Sequence, residues 1–123
     1  MLKLVKGGEE GEKLRFLVVA KDLTTGMPYY QHLVHLDCSK MFAYGVDQAL
    51  THLSRHTFDV VVVESSISMP DTKDLLKEIR LRGVNKECLV VVQGPEESKY
   101  KFASWAEQFK VQFFEEFHIA DFV

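Results

Sequence analysis

Four consecutive valines constrain this chain more than any other feature of its sequence. They lie in residues 58–64, FDVVVVE. Successive side chains of a strand point to opposite faces, so an unbroken apolar run requires cover on both sides. The run therefore predicts a central strand of a parallel sheet with helices packed on both faces. Residues 14–20 and 89–92 have a similar composition and predict two further buried strands.

Helical patterns alternate with strands along the rest of the chain. Weaker strands are predicted at residues 39–44 and 110–114. Residues 21–28, with two threonines, a glycine and a proline, predict a loop. The predicted helices cover residues 27–36, 46–56, 71–82, 96–109 and, for about two turns, 117–123. In the first helix Tyr30, Leu33 and Val34 follow helical spacing, and Asp71 or Thr72 is the predicted N-cap of the third.

This alternation predicts the fold class. Strand and helix follow each other five times, which favours an α/β fold with right-handed crossovers. Five strands in a chain of 123 residues suit a flavodoxin-like, doubly wound parallel sheet with strand order 2-1-3-4-5. The fifth helix is short or truncated in this interpretation. We expect residues 1–13 to form a flexible N-terminal lead-in and residues 14–123 to form one domain.

Composition limits the function. Hydrophobic residues make up 46% of the chain and charged residues 27%, which suffices for a core without disulfides or metal. A net charge of −3 without a basic run argues against nucleic-acid binding. Cys38 and Cys88 form no CxxC pattern, which favours a reduced, cytoplasmic setting. Because no apolar stretch has the length of a membrane span and the N-terminus lacks a secretory pattern, we expect no membrane location.

Two segments resemble the receiver domains of response regulators, the CheY-like modules of two-component signal transduction. The segment QALTHLSRHTFDVVVVESSISMP is similar to that family's stretch from the second helix to its Met-Pro turn. The segment DLLKEIRLRGVNKECLVVV is similar to its third helix and fourth strand. The resemblance extends over about residues 14–123. It implies the fold derived above and a regulatory role rather than an enzymatic one.

The resemblance also implies where phosphate chemistry would reside. A working receiver has two acidic residues after the first strand, an Asp ending the third, a Ser or Thr ending the fourth and a Lys ending the fifth, which together hold Mg²⁺ and the phosphoryl group. Matched position by position, the acidic pair falls on Ala20 and Lys21 with Asp22 next, the phosphoacceptor on Glu64, the hydroxyl on Gln93, the aromatic switch on Gln112 and the lysine on Glu115.

These substitutions predict a degenerate, phosphorylation-independent pseudo-receiver without cofactor or metal. Ala20 supplies no oxygen ligand, and Lys21 repels a cation. Glu64 is one methylene longer than Asp, which displaces its oxygens from the in-line geometry. Glu115 places a negative charge where the phosphate needs a positive one. Glu64 is then either a mimic of a phosphorylated Asp or a strand-end carboxylate paired with Lys21, and we favour the second interpretation.

The resemblance implies a partner surface as well. In receivers the fourth helix, fifth strand and fifth helix form the usual contact face for another protein or a second copy. Here that face is aromatic, and a short fifth helix leaves apolar area to be covered. Phe102, Trp105 and Phe109 are spaced to face the sheet, which leaves Tyr100 pointing elsewhere. The candidate contact residues are Tyr100, Trp105, Phe113, Phe114 and Phe122.

Two alternatives stay open from the sequence. One is a conventional phosphorylation-switched receiver whose unusual acidic pocket uses Asp22 and Glu64. The other is a small-ligand domain that binds a flavin or a nucleotide phosphate at residues 24–26, because a hydroxyl- and glycine-rich loop before a helix can cradle phosphate.

Overall fold

The computed structural model describes residues 14–34, 38–65, 67–81, 87–95 and 99–114. Its strands are β1 (Arg15–Ala20), β2 (Ser39–Tyr44), β3 (Val60–Glu64), β4 (Leu89–Gln93) and β5 (Val111–Phe114). Its helices are α1 (Leu23–Leu33), α2 (Val46–Arg55), α3 (Met69–Leu81) and α4 (Lys99–Gln108). The predicted lead-in at residues 1–13 and the predicted fifth helix at residues 117–123 lie outside the described residues.

The strands form one parallel sheet in the order β2-β1-β3-β4-β5, which confirms the flavodoxin-like prediction. β3 lies at the centre, where Val62 stands opposite Val18 of β1 and Val91 of β4. All four consecutive valines are fully buried. The valine run therefore occupies the central position that its composition required.

Helices cover the two faces of the sheet and form two cores. Val61 and Val63 belong to the larger core, which α2, α3 and α4 close. Val60 and Val62 belong to the smaller core on the opposite face, which α1 covers. Successive residues of β3 thus alternate between the two cores, and the same alternation decides which strand-end side chains lie beneath α1. Within the described part of the chain, none of the helices has the length and apolarity to cross a membrane.

The start of α1 corrects the prediction of a loop over residues 21–28. The helix begins at Leu23, and Asp22 is its N-cap. The Asp22 carboxylate accepts from the Thr25 amide (2.9 Å), and the Thr25 hydroxyl accepts from the Asp22 amide (3.1 Å). Pro28 lies inside the helix. Its missing N–H costs one intrahelical hydrogen bond, and this reciprocal capping box offsets part of that loss.

The buried side of α1 also differs from the prediction. Gly26, Tyr29 and Leu33 face the sheet, whereas Tyr30 and Val34 are exposed. A Cβ atom on Gly26 would lie 3.2 Å from a ring carbon of Tyr44. The glycine therefore lets the helix approach the sheet closely, and this approach decides which apolar side chains are buried.

The third helix begins two residues earlier than predicted. α3 starts at Met69, and neither Asp71 nor Thr72 is its cap. The Ser68 hydroxyl accepts from the Asp71 amide (3.4 Å), so Ser68 takes the capping position. Thr72 is buried within the helix, and its hydroxyl donates to the Ser68 carbonyl (2.9 Å).

Arg80 on α3 holds the beginnings of β4 and β5 in place. Its guanidinium donates to the carbonyls of Phe109 (2.6 Å), Cys88 (2.6 Å) and Lys110 (3.0 Å). Lys110 has a left-handed backbone conformation (φ 54°) between α4 and β5. One planar cation thus satisfies three loop carbonyls at the end of the sheet opposite the candidate site.

Candidate functional site

Three predicted site residues meet at the carboxyl ends of neighbouring strands. Ala20, Glu64 and Gln93 end β1, β3 and β4, and strand alternation places all three on the face that α1 covers. Glu64 stands directly opposite Gln93 in the register of β3 and β4. In open α/β sheets this edge, at the switch between the first and third strands, is where ligands bind. The structure therefore brings these three matched positions together at the edge where the sequence interpretation placed the site.

Tyr29 of α1 reaches into this cluster, and the sequence interpretation missed it. The side chain is buried, and its hydroxyl donates a hydrogen bond to Oε1 of Gln93. Burial, followed by the negative charge of Glu64, raises the pKa of Tyr29 well above its usual value. The phenol consequently stays protonated and remains a donor at neutral pH. The sequence signal for its position is the spacing of Gly26, Tyr29 and Leu33 at i, i+3 and i+7.

The two residues after β1 point into solvent, and the second of them caps α1. Lys21 and Asp22 are both exposed. The hydrogen bond from the Thr25 amide lowers the pKa of Asp22 below its usual range. The carboxylate is therefore ionised at neutral pH, and one of its oxygens is occupied by the cap of α1.

The oxygen donors at this edge do not fit an octahedral Mg²⁺ site. Mg²⁺ takes near-ideal octahedral geometry and uses one or two well-placed carboxylates together with water and phosphate oxygens. Ala20 offers a buried methyl group, and Lys21 offers a positive charge. Asp22 caps the helix, which leaves Glu64 as the remaining carboxylate among the matched positions that the structure describes. Among the residues that the structure describes, no cluster of three or more His, Cys, Asp or Glu side chains could hold a metal ion.

The structure also argues against a phosphate-binding loop at residues 24–26. These residues form the first turn of α1, not a loop that precedes it. The Thr25 amide, which a phosphate would need, already donates to the Asp22 carboxylate. That carboxylate places a negative charge at the helix N-terminus, where a phosphate would otherwise bind.

Consecutive residues of β5 divide between the two faces of the sheet. Phe114 packs on the α1 side and stands opposite Gln93 in the register. Strand alternation places Gln112, the matched switch position, on that same face. Phe113 packs on the other face, where its ring stacks on Phe102 with centroids 6.3 Å apart. Glu115 lies outside the described residues.

The predicted contact residues separate into exposed and buried side chains. Tyr100 is 82% exposed, and Phe113 and Phe114 are half-buried. Trp105 is only 8% exposed, and its ring packs edge-on against Phe102 at 5.2 Å. Trp105 therefore anchors α4 to the core and does not line a surface, which corrects its place among the contact residues. Phe122 lies outside the described residues.

Comparison with known proteins supports the same architecture. No protein-family model matches the chain, and no curated protein matches it either. Solved structures do match. The signal receiver domain of an HD domain-containing protein from Pseudomonas fluorescens Pf-5 is 17% identical with a TM-score of 0.73, over 84% of this chain and 82% of that one. The chain has the receiver-domain fold.

Two further receiver structures superpose equally well. The chemotaxis protein CheY4 of Vibrio cholerae is 14% identical with a TM-score of 0.74, over 89% of this chain and 92% of that one. The receiver domain of the sensor histidine kinase PA1611 from Pseudomonas aeruginosa PAO1 is 13% identical with a TM-score of 0.73, over 89% and 91%. That structure holds a magnesium ion in its active-site cleft.

Proposed function

We propose that this chain is a pseudo-receiver: a non-catalytic regulatory module of a two-component-type signalling protein that acts by protein–protein contact without phosphorylation. The observation that carries the proposal is the hydrogen bond from the buried Tyr29 hydroxyl to Gln93, beside Glu64. At the carboxyl ends of β3 and β4 it leaves side chains that bind each other. The cysteine usage further suggests that the module works in a reducing, cytoplasmic setting.

The charges at this edge oppose phosphate binding. A phosphoryl group adds about two negative charges and needs a cation or several hydrogen-bond donors close by. Glu64 already contributes a negative charge, which acts on Tyr29. The donor of Tyr29 is directed to Gln93, and the Asp22 carboxylate caps α1. An arriving phosphoryl group would therefore meet like charge with little to compensate it.

The same arrangement supports the interpretation that Glu64 does not act as a mimic of a phosphorylated Asp. A phosphate mimic acts in a receiver through a hydroxyl on the fourth strand and a lysine on the fifth. Here the fourth-strand position is the amide of Gln93, which accepts from Tyr29. Glu64 is accordingly a strand-end carboxylate within a local polar cluster in our proposal, and its charge helps keep the Tyr29 phenol protonated.

Tyr100 and the half-buried Phe113 and Phe114 support a contact face on α4, β5 and the predicted fifth helix. Tyr100 combines a large apolar ring with a polar tip and is almost fully exposed. Such side chains are enriched at the centres of protein interfaces. We propose that a protein partner, or a second copy of this chain, packs on this face.

The test of phosphorylation independence uses the folded chain with Mg²⁺ and either acetyl phosphate or beryllofluoride. We expect no covalent phosphoryl adduct by intact mass spectrometry and no Mg²⁺-dependent amide shifts at Glu64 or Gln93 by NMR. Glu64→Gln is the matched control because it removes the acceptor charge at nearly constant volume. An adduct, or beryllofluoride shifts, present in the unsubstituted chain and lost in Glu64→Gln would contradict the proposal and favour a conventional receiver.

A further inference from the structure

Helix α1 and its C-cap residue Val34 carry four of the six large exposed apolar side chains among the described residues. Leu23 is 61% exposed, Tyr30 44%, and Met27 and Val34 39% each. Elsewhere in the described residues, only Leu81 and Tyr100 belong to this class. An apolar group of this kind on one helix marks a contact surface more often than a set of scattered single residues does. We call these four side chains, three on α1 and one on its C-cap, the α1 stripe.

The α1 stripe has the spacing of a helix–helix seam. Its members follow one another at four, three and four residues, and at about 100° per residue they lie within roughly 60° of one another on the helix. The stripe borders the buried side of α1, and the ring of Tyr30 lies 5.9 Å from that of Phe42 on β2. β2 ends the described sheet. The stripe therefore extends over the edge strand, where nothing in the fold of the described residues covers it.

The charge of α1 indicates what kind of occupant the stripe accepts. Residues 23–34 contain no Asp, Glu, Lys or Arg, although such residues make up 27% of the chain. A partner selected by charge would find no charged side chain on this helix to recognise. A second α1 packed antiparallel meets no like-charge repulsion, and the symmetry is self-complementary: Leu23 faces Val34 of the partner copy, and Met27 faces Tyr30.

We propose that the α1 stripe is a homodimer contact, in which a second copy of this chain packs its α1 antiparallel across a two-fold axis beside β2. The contact is separate from the one assigned above to α4 and β5. α1 covers one face of the sheet next to β2, and α4 covers the opposite face next to β5. A two-fold contact at α1 leaves the face around Tyr100 free for another protein.

The exposed area sets the strength of this dimer. Side chains of this size expose on the order of 200 Å² when fully free, so the four together leave roughly 350 Å² per copy. Two copies would bury roughly 700 Å² through the stripe, against about 1,200–2,000 Å² for a standard stable interface. The half-buried Phe42 and Tyr44 border the stripe on β2 and add to the area. We therefore expect a weak, concentration-dependent dimer with a dissociation constant of about 10–500 µM.

The experiment measures the oligomeric state of the full chain by sedimentation equilibrium from micromolar to millimolar concentration. The test variant is Leu23→Glu, because an acidic side chain in the first turn of a helix favours the fold. It places two unpaired carboxylates against apolar side chains in each dimer. We expect the dissociation constant to rise on the order of thirtyfold. Leu81→Glu is the matched control, because Leu81 is 67% exposed on α3 and lies outside the stripe, and it should leave the constant unchanged.

A charge-pair variant tests the antiparallel arrangement. In Leu23→Glu/Val34→Lys the introduced carboxylate of one copy faces the introduced ammonium of the other, so we expect the dimer to be tighter than in Leu23→Glu alone. A protein that is monomeric at millimolar concentration, or a double variant no tighter than the single one, overturns the proposal. So does a dimer that Leu23→Glu leaves intact. If Tyr100→Ala dissociates that dimer instead, the contact lies on the α4 face.

Discussion

Removal of the Tyr29 hydroxyl tests the hydrogen bond between α1 and the carboxyl end of β4. Tyr29→Phe keeps the buried ring and deletes only the donor to Gln93, so no cavity forms. The cost is the net value of one part-buried hydrogen bond plus the penalty for an amide oxygen deprived of this donor. The two together lower the free energy of unfolding by about 1–2 kcal/mol. For a domain of this size we expect a melting temperature about 4–8 °C lower.

A double-mutant cycle separates this bond from the general effects of substitution. Gln93→Met keeps the volume and removes the acceptor. We expect a coupling of about 1 kcal/mol between Tyr29→Phe and Gln93→Met in urea unfolding at neutral pH, since the second substitution removes a bond that the first has already broken. Additive single effects would show that the two side chains do not interact in solution. The hydrogen bond between Tyr29 and Gln93 would then not stabilise the carboxyl ends of the strands.

The same pair predicts a pH dependence with a definite sign. The folded-state pKa of Tyr29 is raised above its ordinary value of 10.0, chiefly by burial. Above about pH 10 the unfolded chain ionises this phenol while the folded chain keeps it protonated, so the stability it contributes at lower pH is lost as the pH rises, by about 1.4 kcal/mol per pH unit. Tyr29→Phe lacks this loss. The stability gap between the two proteins should therefore narrow between about pH 10 and pH 11, and a gap that widens would contradict the burial of the phenol.

Two further predictions concern the opposite end of the sheet. Arg80→Met deprives three loop carbonyls of their shared donor and should lower the free energy of unfolding by about 2–3 kcal/mol in urea titration. Arg80→Lys should restore little of this stability, because an ammonium lacks the planar fork of a guanidinium. A loss within about 0.5 kcal/mol would mean that this network does not hold β5 in place. Burial raises the pKa of Cys88 to about 11, so an aromatic disulfide reagent at neutral pH should modify the half-buried Cys38 first and Cys88 only as the chain unfolds. Equal rates for the two thiols would show that Cys88 is accessible in the folded chain.

The strands were predictable because their signal is local. An apolar run such as residues 60–63 has one stable environment, and its position between two other buried runs leads to the observed order. The matched positions of the site, from Ala20 to Gln93, followed from the same strand ends. The errors lie where two local signals compete. Gly26 and Pro28 indicate a loop, whereas the Asp22–Thr25 capping box starts a helix, and the box prevails because it satisfies amides that the helix would otherwise leave free.

The role of Tyr29 could not be read from α1 alone. Two apolar sets, Tyr29 with Leu33 and Tyr30 with Val34, both fit helical spacing. The close approach of Gly26 to the sheet determines that the first set is buried and the second exposed. The contact with Gln93, which lies 64 residues away along the chain, then follows from the orientation of the helix.

The sequence by itself therefore determined the parallel sheet, its strand order and which side chains stand at the strand ends, because hydrophobic runs and strand-end residues are properties of short segments. Only the tertiary structure decided which side of α1 faces inward, and with it the hydrogen bond at the site and the exposed stripe on the helix. The physical reason is steric. A helix with two candidate apolar sides buries the one whose smallest residue allows the closest packing on the sheet.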